Sequence, residues 1–286
     1  MHIPRASWLL AACMGTIINA SDILEVDLVF PRNKTYAPAD RFPVVFAFQN
    51  AERARYLNPA ISYTLWNLQD LDDTMTNSHD LRGTNWTDQD TYLAHSYHTL
   101  FKNEGRYKVS WTVTWQSCDE DAFKNKLSTA KMIDNMTTWA TYFTTQSSAP
   151  KVDLVAATAE KTCPEKYGVL MNVTDKTMKV PWNVRWSGGD YTNDTCAVVA
   201  KSTPTATPEP CRVHIDKTTV ESMEASLLAR LCSDKKNAAQ QLAVVGMSCL
   251  LAAFGALGWL ECDANNVKVE GSTPSGTSVF LFLSFF

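Results

Sequence analysis

The sequence predicts a mainly β protein built around an antiparallel β-sandwich. The clearest observation is a two-residue alternation over Tyr107–Gln116, where large apolar side chains occupy every second position. Such alternation is typical of a strand with one buried side and one solvent-facing side. Further apolar runs of strand length recur between turn residues without a helical period, which also favours a sandwich. An immunoglobulin-like topology is compatible with this spacing, but the sequence does not select it.

Residues 21–148 are predicted to form this sandwich domain. Four more segments carry a strand pattern: Ile23–Phe30, Phe42–Phe48, Ile61–Leu68 and, more weakly, Thr137–Thr145. In the first of them every second residue from Leu24 to Phe30 is expected to face the core. Turn-forming residues separate the segments: Pro31-Arg32-Asn33, Pro38-Ala39-Asp40, Asn58-Pro59 and Asn103-Glu104-Gly105.

Residues 149–234 are predicted to form a small region of strands and one helix, stapled by disulfides. Val152–Ala156 and Gly168–Val173 have a strand-like composition. Apolar residues at helical spacing predict an amphipathic helix over Thr219–Leu231, with Thr218–Glu221 as a capping box at its start. Residues 202–210 form a Ser/Thr/Pro tract, which is typical of an exposed loop or of an O-glycosylated segment.

Residues 1–20 have the three-part layout of a secretory signal peptide. A short basic start that includes Arg5 precedes an uncharged, mostly apolar run over 6–18 and the small residue Ala20. This run of about 13 residues is shorter than the ~20 residues that a membrane-spanning helix needs. An N-terminal anchor or a buried first helix is the alternative. We expect cleavage near Ser21 and a mature protein that faces the outside of the cell.

The charge balance argues against nucleic-acid binding. The chain carries 26 Lys and Arg against 30 Asp and Glu, for a formal net charge of −4, and its basic residues are scattered. Nucleic-acid binders need clustered Lys and Arg to neutralise phosphates. The sequence offers no Cys/His spacing of a zinc site, so neither a metal nor another cofactor is predicted.

Asparagine sequons point to the same secretory compartment. Five Asn-x-Ser/Thr triplets without proline at the middle position are candidate N-glycosylation sites: Asn33, Asn85, Asn135, Asn172 and Asn193. A further match at Asn19 lies at the predicted cleavage point and is discounted.

The cysteines between the signal peptide and the C-terminal apolar segment are candidates for disulfide bonds. They are Cys118, Cys163, Cys196, Cys211 and Cys232. In an oxidising compartment such cysteines usually pair. Short loops favour Cys163 with Cys196 and Cys211 with Cys232, although the sequence alone leaves the connectivity open. Because the set is odd, at least one cysteine is free, pairs with Cys262 or has lost its partner.

Residues 242–260 are nineteen consecutive residues without a charge. As a helix they span about 28 Å, close to the ~30 Å hydrocarbon core of a bilayer. The segment is therefore predicted to attach the protein to a membrane, either as a transmembrane helix or as the signal for a glycolipid anchor. Its flanks oppose the positive-inside rule, and a glycolipid signal would end the chain. Residues 261–286 nevertheless follow, as an atypical extension that is expected to be disordered.

Several stretches resemble an uncharacterised family of secreted filamentous-fungal proteins, domain of unknown function 7136. They are Ile23–Asn33, Tyr36–Pro38, Phe46–Ala51, Trp115–Asp121, Trp186–Asp190 and Ala238–Gly246. The resemblance implies a surface protein and brings no activity and no catalytic residue. It also implies a chain that ends just after the apolar segment, with one more cysteine after Cys232. We therefore hypothesise that residues 261–286 come from a gene model that reads through into intron or untranslated sequence, which sequencing the transcript tests.

No catalytic motif stands out among the remaining polar residues. His95 and His98 lie three residues apart without an evident third metal ligand. The acidic stretch Cys118–Asp121 is more typical of a solvated turn than of paired catalytic carboxylates. Ser78-His79-Asp80 places the residue types of a catalytic triad side by side, whereas real triads assemble from distant loops.

Two functional hypotheses remain. The first is an N-glycosylated cell-surface protein that acts in cell-wall organisation or binds a surface ligand, with wall polysaccharide or a surface protein as its partner. The second is a secreted carbohydrate-active enzyme or carbohydrate-binding module on a β-sandwich. Four tryptophans are candidates to stack on sugars: Trp66, Trp86, Trp182 and Trp186. A cleft with two carboxylates flanked by tryptophans would favour the enzyme, and no enzymatic activity is predicted without one.

Overall fold

The structure of the chain is a computed structural model. It describes residues 23–87, 90–160, 167–184, 194–202, 204–244, 260–263 and 266–269, with side chains through Cys232. Much of the described chain lies in two five-stranded β-sheets, which confirms the prediction of a mainly β protein.

The regular elements occur in one order along the chain. They are β1 (Ile23–Phe30), β2 (Thr35–Tyr36), β3 (Phe42–Gln49), β4 (Ala60–Asn67), β5 (Asp70–Asp80), β6 (Thr91–His98), β7 (Gly105–Ser117), α1 (Glu120–Lys124), β8 (Ile133–Thr145), α2 (Leu154–Thr158), β9 (Gly168–Lys179), β10 (Thr195–Val199), α3 (Lys217–Val244), β11 (Leu260–Asp263) and β12 (Asn266–Val269).

The chain crosses repeatedly between the two sheets. The first sheet has the strand order β10-β9-β1-β3-β6, and the second has the order β2-β8-β7-β4-β5. Paired strands are antiparallel except for β2, which runs parallel to β8. The connections from β3 to β4, from β5 to β6 and from β6 to β7 each pass from one sheet to the other, so both sheets are built from the same part of the chain.

Aromatic rings from both sheets meet in one core. Phe46 of β3 lies 5.6 Å from Trp111 of β7, and Phe42 stacks on Phe143 of β8 at 5.2 Å, measured between ring centroids. The alternating apolar residues of β7 are buried, as the two-residue period predicts. Burial of such rings is a main source of stability because large apolar areas leave water.

Residues 149–234 share the first sheet and its core with the preceding residues. β9 pairs with β1 through Gly168↔Asp27 and Val169↔Val26, and β10 pairs with β9. Apolar side chains of this region lie in the same buried cluster as those of β1 and β3: Val169, Met171, Val173, Ala197, Val213, Ile215 and Met223.

Local predictions for this region meet with different outcomes. The strand predicted at Gly168–Val173 is the first half of β9, and the predicted helix lies within α3. The strand predicted at Val152–Ala156 is wrong, because Leu154–Thr158 forms the helix α2. Its start is stabilised by the Asp153 side chain, which accepts a hydrogen bond from the Ala156 amide at 3.0 Å.

The start of α3 also differs from its prediction. The Asp216 side chain accepts a hydrogen bond from the Thr219 amide at 2.7 Å, so Asp216 takes the capping role that Thr218 was expected to have. The helix therefore begins two residues earlier, at Lys217. Its apolar side packs on the core through Met223 and Val220.

The C-terminal predictions fall largely outside the described residues. The segment 242–260 is described only where α3 ends at Val244 and where β11 begins at Leu260. Within the described residues, no helix has the length and apolar character needed to cross a membrane. The extension, expected to be disordered, contains the antiparallel pair of β11 and β12. Val267 and Val269 favour a strand there.

Candidate functional site

The second sheet presents a broad outer face on the side away from the core. Its residues alternate with the buried residues of β4, β7 and β8 and are half-buried or exposed. Small hydroxyl and methyl side chains dominate this outer face, which consists of Ser62, Thr64, Trp66, Lys108, Ser110, Thr112, Thr114, Met136, Thr138, Ala140 and Tyr142.

One end of the outer face carries an aromatic row. Trp66 pairs with Lys108 in the register of β4 and β7, and Lys108 pairs with Tyr142 in the register of β7 and β8. The Lys108 ammonium lies 5.9 Å from the centroid of the Tyr142 ring, and the Tyr142 side chain is 49% exposed. Since neighbouring strands lie about 4.8 Å apart, the strands that carry the two rings are separated by about 9.6 Å across the sheet.

The middle of the outer face is neutral and rich in hydroxyl groups. Thr112 and Thr138 share a hydrogen bond of 2.8 Å between their Oγ1 atoms, and Thr64 and Thr76 share one of 3.2 Å. Each hydroxyl offers one donor and two acceptor sites, so one such bond leaves further hydrogen-bonding capacity toward solvent.

The opposite end of the sheet contains a groove of about 670 Å³, the end groove. Its polar walls include three side chains linked by hydrogen bonds. Asn58 donates to Gln116, and Gln116 donates to Asp134, with a donor–acceptor distance of 2.6 Å in both cases. Asp80 forms an ion pair with Arg82, and this hydrogen-bonded guanidinium lowers the pKa of the Asp80 carboxyl. Asp80 and Asp134 are the described carboxylates that line the end groove, and each accepts a hydrogen bond from another side chain.

Of the two histidines singled out in the sequence, His98 is buried and faces the second sheet, whereas His95 is half-buried on the opposite side of β6. The His98 Nε2 atom is 2.9 Å from the Tyr63 hydroxyl, and its Nδ1 atom is 3.2 Å from the Met75 sulfur. Burial lowers the pKa of both His79 and His98 to about 4, so these rings are neutral near pH 6. The described residues include no group of three His, Cys, Asp or Glu side chains placed to hold a metal ion.

The acidic stretch after β7 makes structural contacts. Asp119 caps α1 by accepting the Ala122 amide at 3.0 Å. Glu120 pairs with Lys124 and Lys176, and these hydrogen bonds lower the pKa of its carboxyl to about 2. The stretch is therefore the capped start of the short helix α1, and not the solvated turn that the sequence suggested.

The side chains of Ser78, His79 and Asp80 do not converge into a triad. Successive residues of β5 point to opposite sides, so Ser78 and Asp80 lie on the exposed side. His79 points inward and stacks on Tyr63 with 5.8 Å between ring centroids.

The four candidate tryptophans differ widely in exposure. Trp86 is buried against Phe48 and Tyr92, which leaves no face for a sugar. Trp182 is 97% exposed, and Trp66 is half-buried in the aromatic row. Trp186 lies outside the described residues.

The disulfide chemistry corrects one sequence preference. Cys196 bonds Cys118, with 5.5 Å between their Cα atoms, and not Cys163. Loop length misled the prediction, because β7 and β10 are neighbours in space although their cysteines are 78 residues apart. Cys211 and Cys232 are disulfide-bonded as well. Cys163 lies outside the described residues.

The sequons occupy different environments. Asn33 and Asn85 are exposed, whereas Asn135 in β8 and Asn172 in β9 are half-buried. The Oδ1 atom of the Asn85 side chain accepts hydrogen bonds from the Thr87 amide at 3.1 Å and the Thr87 hydroxyl at 2.6 Å. Asn193 lies outside the described residues.

Sequence reasoning missed a buried acidic pair on β1. Glu25 and Asp27 lie on one side of the strand, beneath the segment around Glu209 and Arg212, and are 4% and 0% exposed. Arg212 donates to the Glu25 carboxylate at 3.2 Å and to the side-chain Oε1 atom of Gln49 at 2.6 Å. Burial raises the pKa of both carboxyl groups, that of Asp27 well above its usual value. The only sequence signal was two acids alternating with apolar residues in an otherwise buried strand.

Comparison with known proteins gives a family and no function. The family model described as a domain of unknown function, DUF7136, matches residues 19–241, which is more than half of the chain. The chain belongs to the DUF7136 family. The match ends just before the apolar segment 242–260. No curated protein and no solved structure matches the chain.

Proposed function

We propose that this DUF7136 protein is a cell-surface glycoprotein that binds an extended neutral polysaccharide on the outer face, without catalysis. The observation that carries the proposal is the row of Trp66, Lys108 and Tyr142 beside a surface of threonine and serine hydroxyls. Sugar rings have apolar C–H faces and polar edges, so they complement aromatic side chains flanked by hydrogen-bonding groups.

The positions of Trp66 and Tyr142 favour a polysaccharide that runs across the strands of the sheet. The strands β4 and β8, which carry the two rings, are about 9.6 Å apart across the sheet, or two strand spacings. That separation is close to the length of two sugar units in an extended β-linked polysaccharide. One unit can therefore contact Trp66 while the next but one contacts Tyr142, and the Lys108 ammonium can donate to hydroxyl groups between them. The residues of the face are half-buried or exposed along three strands, which suits a polymer better than an enclosed small ligand.

A secretory route supports the surface location. The signal peptide at residues 1–20 directs the chain to a compartment in which Asn33 and Asn85 are accessible for glycosylation. The disulfide between Cys118 and Cys196 is typical of such an oxidising compartment. Residues 242–260 then attach the protein to the membrane, as a retained helix or as a removed glycolipid-anchor signal. In a filamentous fungus the available polysaccharide is that of the cell wall.

We also propose that the two sheets form an immunoglobulin-like β-sandwich. Three features support this topology: β1, β3 and β6 share one sheet, β8, β7, β4 and β5 follow one another in the other, and β2 runs parallel to β8. The Tyr107 hydroxyl donates to the Asn103 carbonyl at 3.1 Å near the start of β7. That contact matches the tyrosine corner of immunoglobulin-like domains.

Co-sedimentation with insoluble polysaccharides tests the proposed function. Purified protein is mixed with cellulose, chitin or β-1,3-glucan, and the bound fraction is compared for wild type, Trp66→Ala and Tyr142→Ala. Loss of about 1.4 kcal/mol per ring lowers the affinity about tenfold. Trp182→Ala is the control, because Trp182 is a fully exposed tryptophan outside the outer face. Equal binding by all variants would contradict the proposal, and release of soluble sugar would favour the carbohydrate-active enzyme instead.

A further inference from the structure

Trp115 and Asn135 are direct neighbours across β7 and β8. They are paired in the register of the two strands, so their side chains point to the same side of the sheet. The Cβ atoms of such a pair lie about 4.5–5.5 Å apart. Asn135 is also the first residue of the sequon Asn135-Met136-Thr137. An aromatic ring thus lies beside the amide that a glycan would modify.

Both side chains line the end groove of about 670 Å³. Trp115 is half-buried: part of its indole packs on the core, and the remainder faces the groove. The Asn135 Nδ2 atom donates to the Ile133 carbonyl at 3.3 Å, which holds the amide at the rim. The space beside the indole is therefore open at the position where a sugar on Asn135 would lie.

We propose that Asn135 carries an N-glycan whose first N-acetylglucosamine packs on the Trp115 indole and fills this part of the end groove. The inference rests on the secretory route of the proposed function. The Asn135 Nδ2 atom forms a bond to the anomeric carbon of a lipid-pyrophosphate-linked oligosaccharide. The bond from that carbon to the pyrophosphate breaks, and Nδ2 loses one proton. Its second hydrogen remains to donate to the Ile133 carbonyl.

The contact is attractive because the apolar C–H face of the sugar covers the exposed part of the indole. That indole surface leaves water, while the sugar hydroxyls stay at the mouth of the groove. Asn172 and Asn85 have different neighbours. Asn172 pairs with Ile23 across β9 and β1, and Trp86 beside Asn85 is buried in the core.

The glycan and the polysaccharide site do not compete. Trp115 lies seven residues along β7 from Lys108, which is about 23 Å of extended strand. The glycan therefore covers the end groove and leaves the aromatic row free. The Asn135 glycan therefore stabilises the fold, and the polysaccharide binds at the other end of the sheet.

Glycopeptide mass spectrometry and thermal unfolding test the inference on protein secreted from a fungal host. Asn135 is expected to be occupied, and Asn135→Gln is expected to lower the melting temperature by about 2–4 °C. Thr35→Val removes the sequon of the exposed Asn33 without changing the Asn33 side chain, and it is expected to leave the melting temperature unchanged. Trimming every glycan to one N-acetylglucosamine should keep the stability, since only the first sugar contacts Trp115.

The same substitution in a Trp115→Leu protein isolates the contribution of the contact between the sugar and the Trp115 ring. In Trp115→Leu protein, Asn135→Gln is expected to cause no further loss of melting temperature. An equal loss with and without Trp115→Leu would overturn the inference.

If Trp115→Leu does not fold, proton NMR of the wild-type glycoprotein decides. Ring-current shifts on the first sugar at Asn135, absent at Asn85, support the contact, and their absence refutes it. An unoccupied Asn135 also refutes it, whereas glycans at Asn33 or Asn85 in that case would leave the secretory route intact.

Discussion

The side-chain amide of Gln49 donates a hydrogen bond of 2.8 Å to the carboxyl group of Asp27, which is completely buried. Glu25 lies two residues away on the same side of β1, and Arg212 and Glu209 are the other charged groups at this site. Two acids beneath a covering segment make the free energy of unfolding depend on pH. The hydrogen bonds that Arg212 donates to Gln49 and Glu25 link the segment around Arg212 to the first sheet.

The acidic pair is expected to make the protein less stable as pH rises. Burial raises the pKa of both carboxyl groups in the folded state above the unfolded values of about 3.9 and 4.3. The folded state then binds more protons than the unfolded state. The stabilisation is therefore complete at pH values below the pKa values of the unfolded state, and it is lost as the pH rises through the pKa values of the folded state. Asp27→Asn should raise the free energy of unfolding at pH 7–8 by on the order of 1 kcal/mol.

Urea unfolding between pH 4 and pH 8 measures this effect. Asp72→Asn in the exposed strand β5 is the matched control and should follow the wild-type profile. A profile of Asp27→Asn parallel to that of wild type would show that the pair does not carry the dependence.

The buried histidines act in the opposite direction at low pH. Burial lowers the pKa of His79 to about 4, below the unfolded value of about 6.5. The unfolded state binds more protons in that window, so stability falls as pH drops from about 6.5 toward 4. His79→Phe removes the titrating group and a buried Nε2 atom that has no hydrogen-bond partner. We expect this variant to lose less stability than wild type between pH 6.5 and 4.5, and a steeper loss would refute the explanation.

Gly168 is required for the close approach of three segments. A Cβ atom at this position would lie 2.3 Å from the Asp27 carboxyl oxygen and 2.7 Å from Pro208. Gly168→Ala should therefore lower the free energy of unfolding by about 1–3 kcal/mol, the usual range for overpacking. Gly83→Ala is the control, since nothing lies within 4 Å of its added methyl group. Equal stability of the two variants would contradict the packing described for β1 and β9.

The disulfide between Cys118 and Cys196 ties β7 to β10. It links residues 78 positions apart, so its removal frees a long loop in the unfolded chain. The double variant Cys118→Ala and Cys196→Ala should lose about 2–5 kcal/mol of unfolding free energy. Calorimetry measures the loss. A double variant as stable as the wild type would show that this bond contributes little.

The sequence predicted strands well where one face is buried and the other is polar. β7 follows that pattern, with Val109 and Trp111 buried between polar neighbours. β5 escaped prediction because it is an edge strand whose residues are mostly exposed and polar. Alternation also placed Glu25 on a solvent side, whereas a segment 184 residues away in sequence covers it. Local patterns carry no information about such distant coverage.

The candidate site was only partly visible in the sequence. Trp66 was identified as a candidate for sugar stacking from its residue type alone. Lys108 and Tyr142 join it only through the pairing of β4, β7 and β8, which requires the strand register. The same register reveals Trp115 beside Asn135. Residues from different strands can be recognised as one site only when the register of the strands is known.

Hydroxyl-radical footprinting with mass spectrometry tests the polysaccharide site most directly. The protein is oxidised alone and in the presence of soluble oligosaccharides of the polysaccharide that it co-sediments with. We expect Trp66 and Tyr142 to be protected from oxidation and the oxidation of Trp182 to be unchanged. Unchanged oxidation of Trp66 and Tyr142, or protection confined to residues outside the outer face, would contradict it.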